Sequence, residues 1–152
     1  MSSSLRPRQS GFTLFEILIV VVILGILAVI VIPQFTSASE DAKNSSLVTQ
    51  LQTIRSQLEL YQTQHNGVYP NLATASWTPL TTKTDVLGAA GTKFGPYLQQ
   101  APTNPFTAKS VVVAGTGFIA GSSATDGWVW DNTNKLIFAV GFNETTGTYT
   151  AH

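Results

Sequence analysis

Residues 11–35 read GFTLFEILIVVVILGILAVIVIPQF. From Phe12 to Ile32 every residue is apolar except Thr13, Glu16 and Gly25. A helix of about 20 apolar residues crosses the hydrocarbon core of a bilayer, so residues 12–35 are expected to form a transmembrane helix. It is longer than the roughly 7–15 residue apolar region of a secretory signal peptide. Glu16 lies about one helical turn inside it. On insertion scales an acid costs roughly 2.5–3.5 kcal/mol at mid-helix and less near an end. Glu16 is therefore either a functional group or a carboxyl resting at the headgroup level, or protonated, with no role.

Residues 1–11 read as a leader that precedes the span, and its first ten, MSSSLRPRQS, are polar with Arg6 and Arg8 and no acid. After the span the next basic residue is Lys43. The positive-inside rule then keeps the leader cytoplasmic and sends the remainder across the membrane, although any signal anchor has basic flanks. Pro33 lacks an N–H and its ring opposes the carbonyl four residues earlier, which predicts a bend near Val29.

Residues 36–66 continue as an amphipathic helix. Leu47, Leu51, Ile54, Leu58 and Tyr61 recur at spacings of four and three, one apolar stripe of a 3.6-residue helix. Arg55 and Glu59 are four apart, a spacing that permits an ion pair. Asn66-Gly67 ends the helix, with Gly67 as a left-handed cap. Residues 67–105 are rich in Thr, Pro and Gly and read as a loop region, with a short helical turn allowed at Asp85–Gly88. Residues 106–152 read as a small antiparallel sheet. Its strands are Lys109–Ala114, Thr116–Ala120, Gly127–Asp131 and Lys135–Val140, with a last edge strand at Gly147–Thr150. Trp128 and Trp130 share one face; Leu136, Phe138 and Val140 form another alternating set. One face of this sheet is expected to bury the Leu47–Tyr61 stripe, giving an α+β fold.

Composition excludes several classes. The 152 residues carry eight basic and eight acidic side chains and a formal net charge of zero, which argues against a nucleic-acid surface. There is no cysteine, hence no disulfide and no thiolate chemistry. The two histidines, His65 and His152, form no nucleophile–base arrangement, and no phosphate-binding glycine loop is present. An enzyme is not expected.

The string Gly11-Phe12-Thr13-Leu14-Phe15-Glu16, followed by an apolar run containing Gly25 and Pro33, resembles the prepilin signature of type IV pilins and type II secretion pseudopilins. Leu60-Tyr61 … Asn66-Gly67-Val68-Tyr69-Pro70 resembles the end of the long helix in major pseudopilins, and the lack of cysteine leans the same way. The resemblance implies a type IV pilin-like fold and cleavage after Gly11. It also implies methylation of the new Phe12 amine by prepilin peptidase, and neutralisation of that amine by Glu16 of a neighbouring subunit in a helical filament. At about 4 Å and an effective dielectric of 20, such a pair attracts by roughly 4 kcal/mol. In related filaments the segment matching Gly25–Pro33 unwinds on assembly; a simple kink is the alternative.

The function implied is that of a structural subunit of a periplasmic pseudopilus. Its partners would be further copies of itself, prepilin peptidase, the inner-membrane assembly platform and minor pseudopilins. The chain would begin as a single-pass inner-membrane protein. A type IV pilin for adhesion, motility or DNA uptake is the nearest alternative, and a membrane-anchored binding domain is a rival of another class. Major pseudopilins also carry an acid-rich C-terminal calcium loop near an Asp-Pro-Trp-Gly-like string, which is missing here. No cofactor is expected, and Asp126 and Asp131 are weak calcium candidates, set against a reading as solvated loop acids.

Overall fold

The computed structural model describes residues 11–117 and 125–150 and, within these, the side chains of all but residues 32–36. The leader residues 1–10, part of the expected Thr116–Ala120 strand and the Pro33 ring lie outside the described residues. The chain divides into two compact units, one up to Glu40 and one from Asp41 onward. Helix α1, Leu14–Gln64, contributes to both.

In the first unit α1 is apolar all round from Ile17 to Val31. Leu14–Val31 is long and apolar enough to cross a membrane, and none of that window is buried within the chain. A helix with no polar face has no internal partner to seek, and its side chains need an apolar medium.

In the second unit α1 becomes amphipathic. Leu47, Leu51, Ile54, Leu58 and Tyr61 are all buried, whereas Val48 and Leu60, off that stripe, are exposed. The stripe packs in one core with Leu72, Trp77, Leu80, Val112, Trp128, Trp130, Ile137, Ala139 and Phe142. Burying one such side chain contributes roughly 1.5–3 kcal/mol, so this core outweighs any propensity effect along the helix.

The helix ends as its sequence suggests. Asn66 and Gly67 both take positive φ, and the Gly67 N–H bonds the Gln62 carbonyl at 2.9 Å. His65, the residue after the end of α1, is buried. Its ring stacks on Tyr61 at 3.7 Å, with Nδ1 2.8 Å from the Tyr61 carbonyl and Nε2 2.9 Å from the Thr84 hydroxyl. His65 thus pins the following loop to the helix end.

The loop region holds more order than its composition indicates. Short helices α2, Leu72–Ala75, and α3, Thr78–Thr81, bring Leu72 and Leu80 into the core. Asp85–Gly88 is a turn in which the Asp85 carboxylate accepts the N–H groups of Leu87 and Ala89. Asn104, fully buried, donates from Nδ2 to the Gly127 and Val140 carbonyls and accepts the Phe106 N–H.

The sheet differs from the expected all-antiparallel arrangement. Strands β1 (Val112–Ala114), β2 (Trp128–Asp131) and β3 (Leu136–Ala139) lie in the order β1-β2-β3. The β2–β3 pair is antiparallel, but β1 pairs with β2 in parallel, Val113 opposite Val129. A parallel pair needs a crossover of a dozen or more residues, and the long connection between β1 and β2 provides that length. Strands β4 (Phe142–Asn143) and β5 (Thr148–Tyr149) form a separate antiparallel pair.

The register decides which face of β3 meets the core. Ile137 and Ala139 are buried, while Leu136 is exposed. Trp130 stands opposite Ile137 and Trp128 opposite Ala139. Residues directly opposite share a face, so the tryptophans select Ile137 and Ala139 rather than the Leu136–Phe138 set.

Candidate functional site

The candidate site is the start of α1. Gly11, Phe12 and Thr13 precede the helix, and all three are exposed. Phe12 is 82% exposed within the chain. The Ile17 N–H bonds the Thr13 carbonyl at 3.3 Å, closing the first helical turn.

Thr13 and Glu16 then bond reciprocally. The Thr13 backbone N–H and hydroxyl both donate to Glu16 Oε2, each at 2.8 Å. The Glu16 N–H donates to Thr13 Oγ1 at 3.2 Å. This is a capping box, in which the N-cap hydroxyl and a Glu three residues on satisfy two of the helix's unpaired donors. Read from the sequence, Glu16 is a charge in an apolar run. The Thr-x-x-Glu spacing was the signal for Thr13.

The box fixes where the carboxylate lies. It is held at the helix N-terminus, where the helix dipole favours an anion, on the residue adjacent to Phe12. An amine created at Phe12 would start one residue from the Thr13 N–H that Glu16 already accepts. The structure therefore brings Gly11, Phe12 and Glu16 into one short segment and adds Thr13 to it.

The other singled-out residues lie elsewhere. Gly25 is on α1, and a Cβ built there meets nothing within 4 Å. Packing within the chain thus gives no reason for a glycine at this position. Pro33 falls within the bounds of α1. Asp126 and Asp131 belong to the second unit.

Asp131 is a turn-former. Its Oδ1 accepts the N–H groups of Thr133 and Asn134 at 2.8 and 2.9 Å, and Oδ2 accepts the Asn134 side-chain amide at 2.8 Å. These bonds, those from Asn134 foremost, hold its carboxyl below the usual aspartate range against the opposing effect of burial. Asp126 Oδ1 accepts the Thr125 hydroxyl at 3.0 Å. Among the described residues no three His, Asp or Glu side chains gather as a metal site would require.

Comparison with known proteins places this geometry. The family model described as "Prokaryotic N-terminal methylation motif" matches residues 6–32, the segment containing Gly11, Phe12, Thr13 and Glu16. A protein named "Type II secretion system core protein G" from Pseudomonas aeruginosa is 46% identical over 66 residues, 43% of this chain and 46% of that protein. One of the same name from Vibrio cholerae is 34% identical over 99 residues, 65% of this chain and 66% of its own length. Another from Aeromonas hydrophila is 31% identical over 101 residues, 66% of this chain and 70% of its own length. The chain thus spans just under half of the Pseudomonas relative and about two thirds of the other two. No solved structure matches the chain at a significant level. The Aeromonas match runs far beyond the 27 residues of the methylation motif, and the chain belongs to the family of type II secretion system core protein G, the major pseudopilins.

Proposed function

We propose that this chain is a structural subunit of a type II secretion pseudopilus, made as a membrane-anchored precursor and polymerised through α1. The observation that carries the reading is the 101-residue match to a core protein G, because the methylation motif alone is common to pilins and pseudopilins. In this reading prepilin peptidase cuts after Gly11 and methylates the Phe12 amine. The Arg6 and Arg8 leader stays in the cytoplasm, and the unit from Asp41 onward is periplasmic. The inner-membrane assembly platform and minor pseudopilins are the other partners. The role is mechanical support of protein export, with no catalytic step and no nucleic acid.

The chemistry of assembly follows from the capping box. In a single subunit Glu16 satisfies its own helix end through Thr13. In a filament, the Phe12 amine of a neighbour offers a full positive charge to the same carboxylate. Two charges that are each costly in an apolar bundle become tolerable when paired, so burial of Glu16 selects subunits in the correct register. Gly25 and Pro33 bound the segment that unwinds as subunits pack.

Intact-mass and N-terminal peptide analysis of the protein from native membranes tests the reading. The expected chain begins at Phe12 with one added methyl group, and deletion of the gene abolishes export of folded proteins. A chain that keeps Arg6 and Arg8 beside an active prepilin peptidase, or one that lacks residues 12–32, would overturn it.

A further inference from the structure

Calcium takes about six to eight oxygen ligands, several of them carboxylate. The calcium loop of major pseudopilins can therefore be tested against the acids of this chain. Both oxygens of Asp131 are committed to the turn at 131–134. Both oxygens of Glu144 are committed to Arg55: Nη1 donates to Oε2 at 2.8 Å and Nη2 to Oε1 at 2.6 Å. Asp126 has one oxygen engaged by Thr125. Among the described residues no three acids gather around one point, so the carboxylates that a calcium loop brings together are here spread over separate turns.

A cation supplied by the chain itself stands among the same elements. Arg55 projects from α1, and its Nη2 also donates to the Ile137 carbonyl in β3 at 2.8 Å. Glu144 immediately follows β4. The guanidinium thus gathers three oxygens, two from the β4–β5 connection and one from the backbone of β3. Its carbon lies 6.0 Å from the Phe138 ring centroid. Arg55, Leu136, Phe138, Phe142 and Glu144 line a shallow recess here. The pair is about one-third exposed, and an ordinary surface ion pair contributes little. A bidentate fork with a further bond to a backbone carbonyl is the geometry in which that expectation fails.

We propose that Arg55 is a metal-free clasp, fastening β3 and the β4–β5 connection to α1 so that the second unit holds its fold without a divalent cation. This stands whether the filament is a secretion pseudopilus or another kind. It predicts that calcium and chelators are without effect, and that loss of either charge loosens the C-terminal region.

The test uses the full-length protein in detergent micelles, with thermal unfolding and limited proteolysis of the C-terminal region as readouts. With excess EGTA and with millimolar calcium, the wild-type midpoint and digestion rate should be the same. Arg55→Gln and Glu144→Gln should each raise the digestion rate several-fold, since cleavage tracks the population of the open form when reclosing is fast. Arg55→Lys, which keeps the charge but loses the fork, should recover only part of the resistance. If Arg55→Gln does not accumulate, Glu144→Gln carries the test, because its side chain is partly exposed. A wild-type midpoint raised by calcium would overturn the proposal, and so would unchanged digestion of Glu144→Gln.

Discussion

Leu24 and Leu51 occupy the same helix, yet one is 58% exposed and the other 1%. The difference lies in what surrounds each stretch. Around Leu24 every position of α1 is apolar, so no orientation of the helix hides its hydrophobic surface, and the partner must come from outside the chain. Around Leu51 most of the remaining positions are polar, and a single stripe finds the sheet and the loop helices. One helix thus carries a stretch that is unburied within the chain and a stretch that builds the core, and the two should respond differently to substitution.

Leu51→Ala should produce the largest effect on folding. Truncating a buried leucine costs about 2–5 kcal/mol, read as a lower unfolding midpoint of the second unit. Leu24→Ala should leave that midpoint unchanged. Equal destabilisation by the two would break the comparison.

Gly127→Ala should come next. A Cβ at this position would collide with the Lys109 carbonyl, while the Gly127 N–H already bonds Val111. Backbone opposes backbone, so neither yields readily, and overpacking of this kind costs about 1–3 kcal/mol. Denaturant unfolding would measure it, and an unperturbed midpoint would mean that the β1–β2 junction is looser than described.

Asp131 should give a smaller, pH-dependent effect. Its carboxyl is held below the usual range by its turn hydrogen bonds, so the folded state favours the ionised form. The stabilisation is fully present above the ordinary aspartate pKa of about 3.9. It is lost as pH falls through the lowered folded value. Asp131→Asn should remove that part of the acid dependence of the unfolding midpoint.

Glu16→Ala should have the least effect on folding. The protein should stay in the membrane with a second unit as stable as wild type, but assemble poorly into filaments. Wild-type filament yield from this variant would sink the proposed pairing with the Phe12 amine.

Much of this division is legible in the sequence. The apolar run marks the span because length and composition alone set what a bilayer accepts. The spacing of Leu47, Leu51, Ile54, Leu58 and Tyr61 marks the buried stripe, because helical periodicity is local. Asn66-Gly67 marks the cap, because few residues tolerate positive φ. The Thr13–Glu16 box is equally local, and its signal is the Thr-x-x-Glu spacing.

Only the tertiary structure decided the rest. Arg55 bonds Glu144 and Ile137 instead of Glu59, 89 and 82 residues away along the chain. A partner so distant leaves no periodic trace. The parallel pairing of β1 depends on how the 115–127 connection returns, and the core face of β3 depends on its register with Trp128 and Trp130. Asn104 sits between Thr103 and Pro105 in a stretch of turn-forming residues, but its bonds to Gly127 and Val140 join segments that meet only when the chain is folded. The sequence by itself determined the local periods, the cap and the membrane span, since each depends on neighbours within a turn or two of helix. Which distant groups satisfy one another was settled by packing, where burial makes an unpaired polar group costly and so selects its partner.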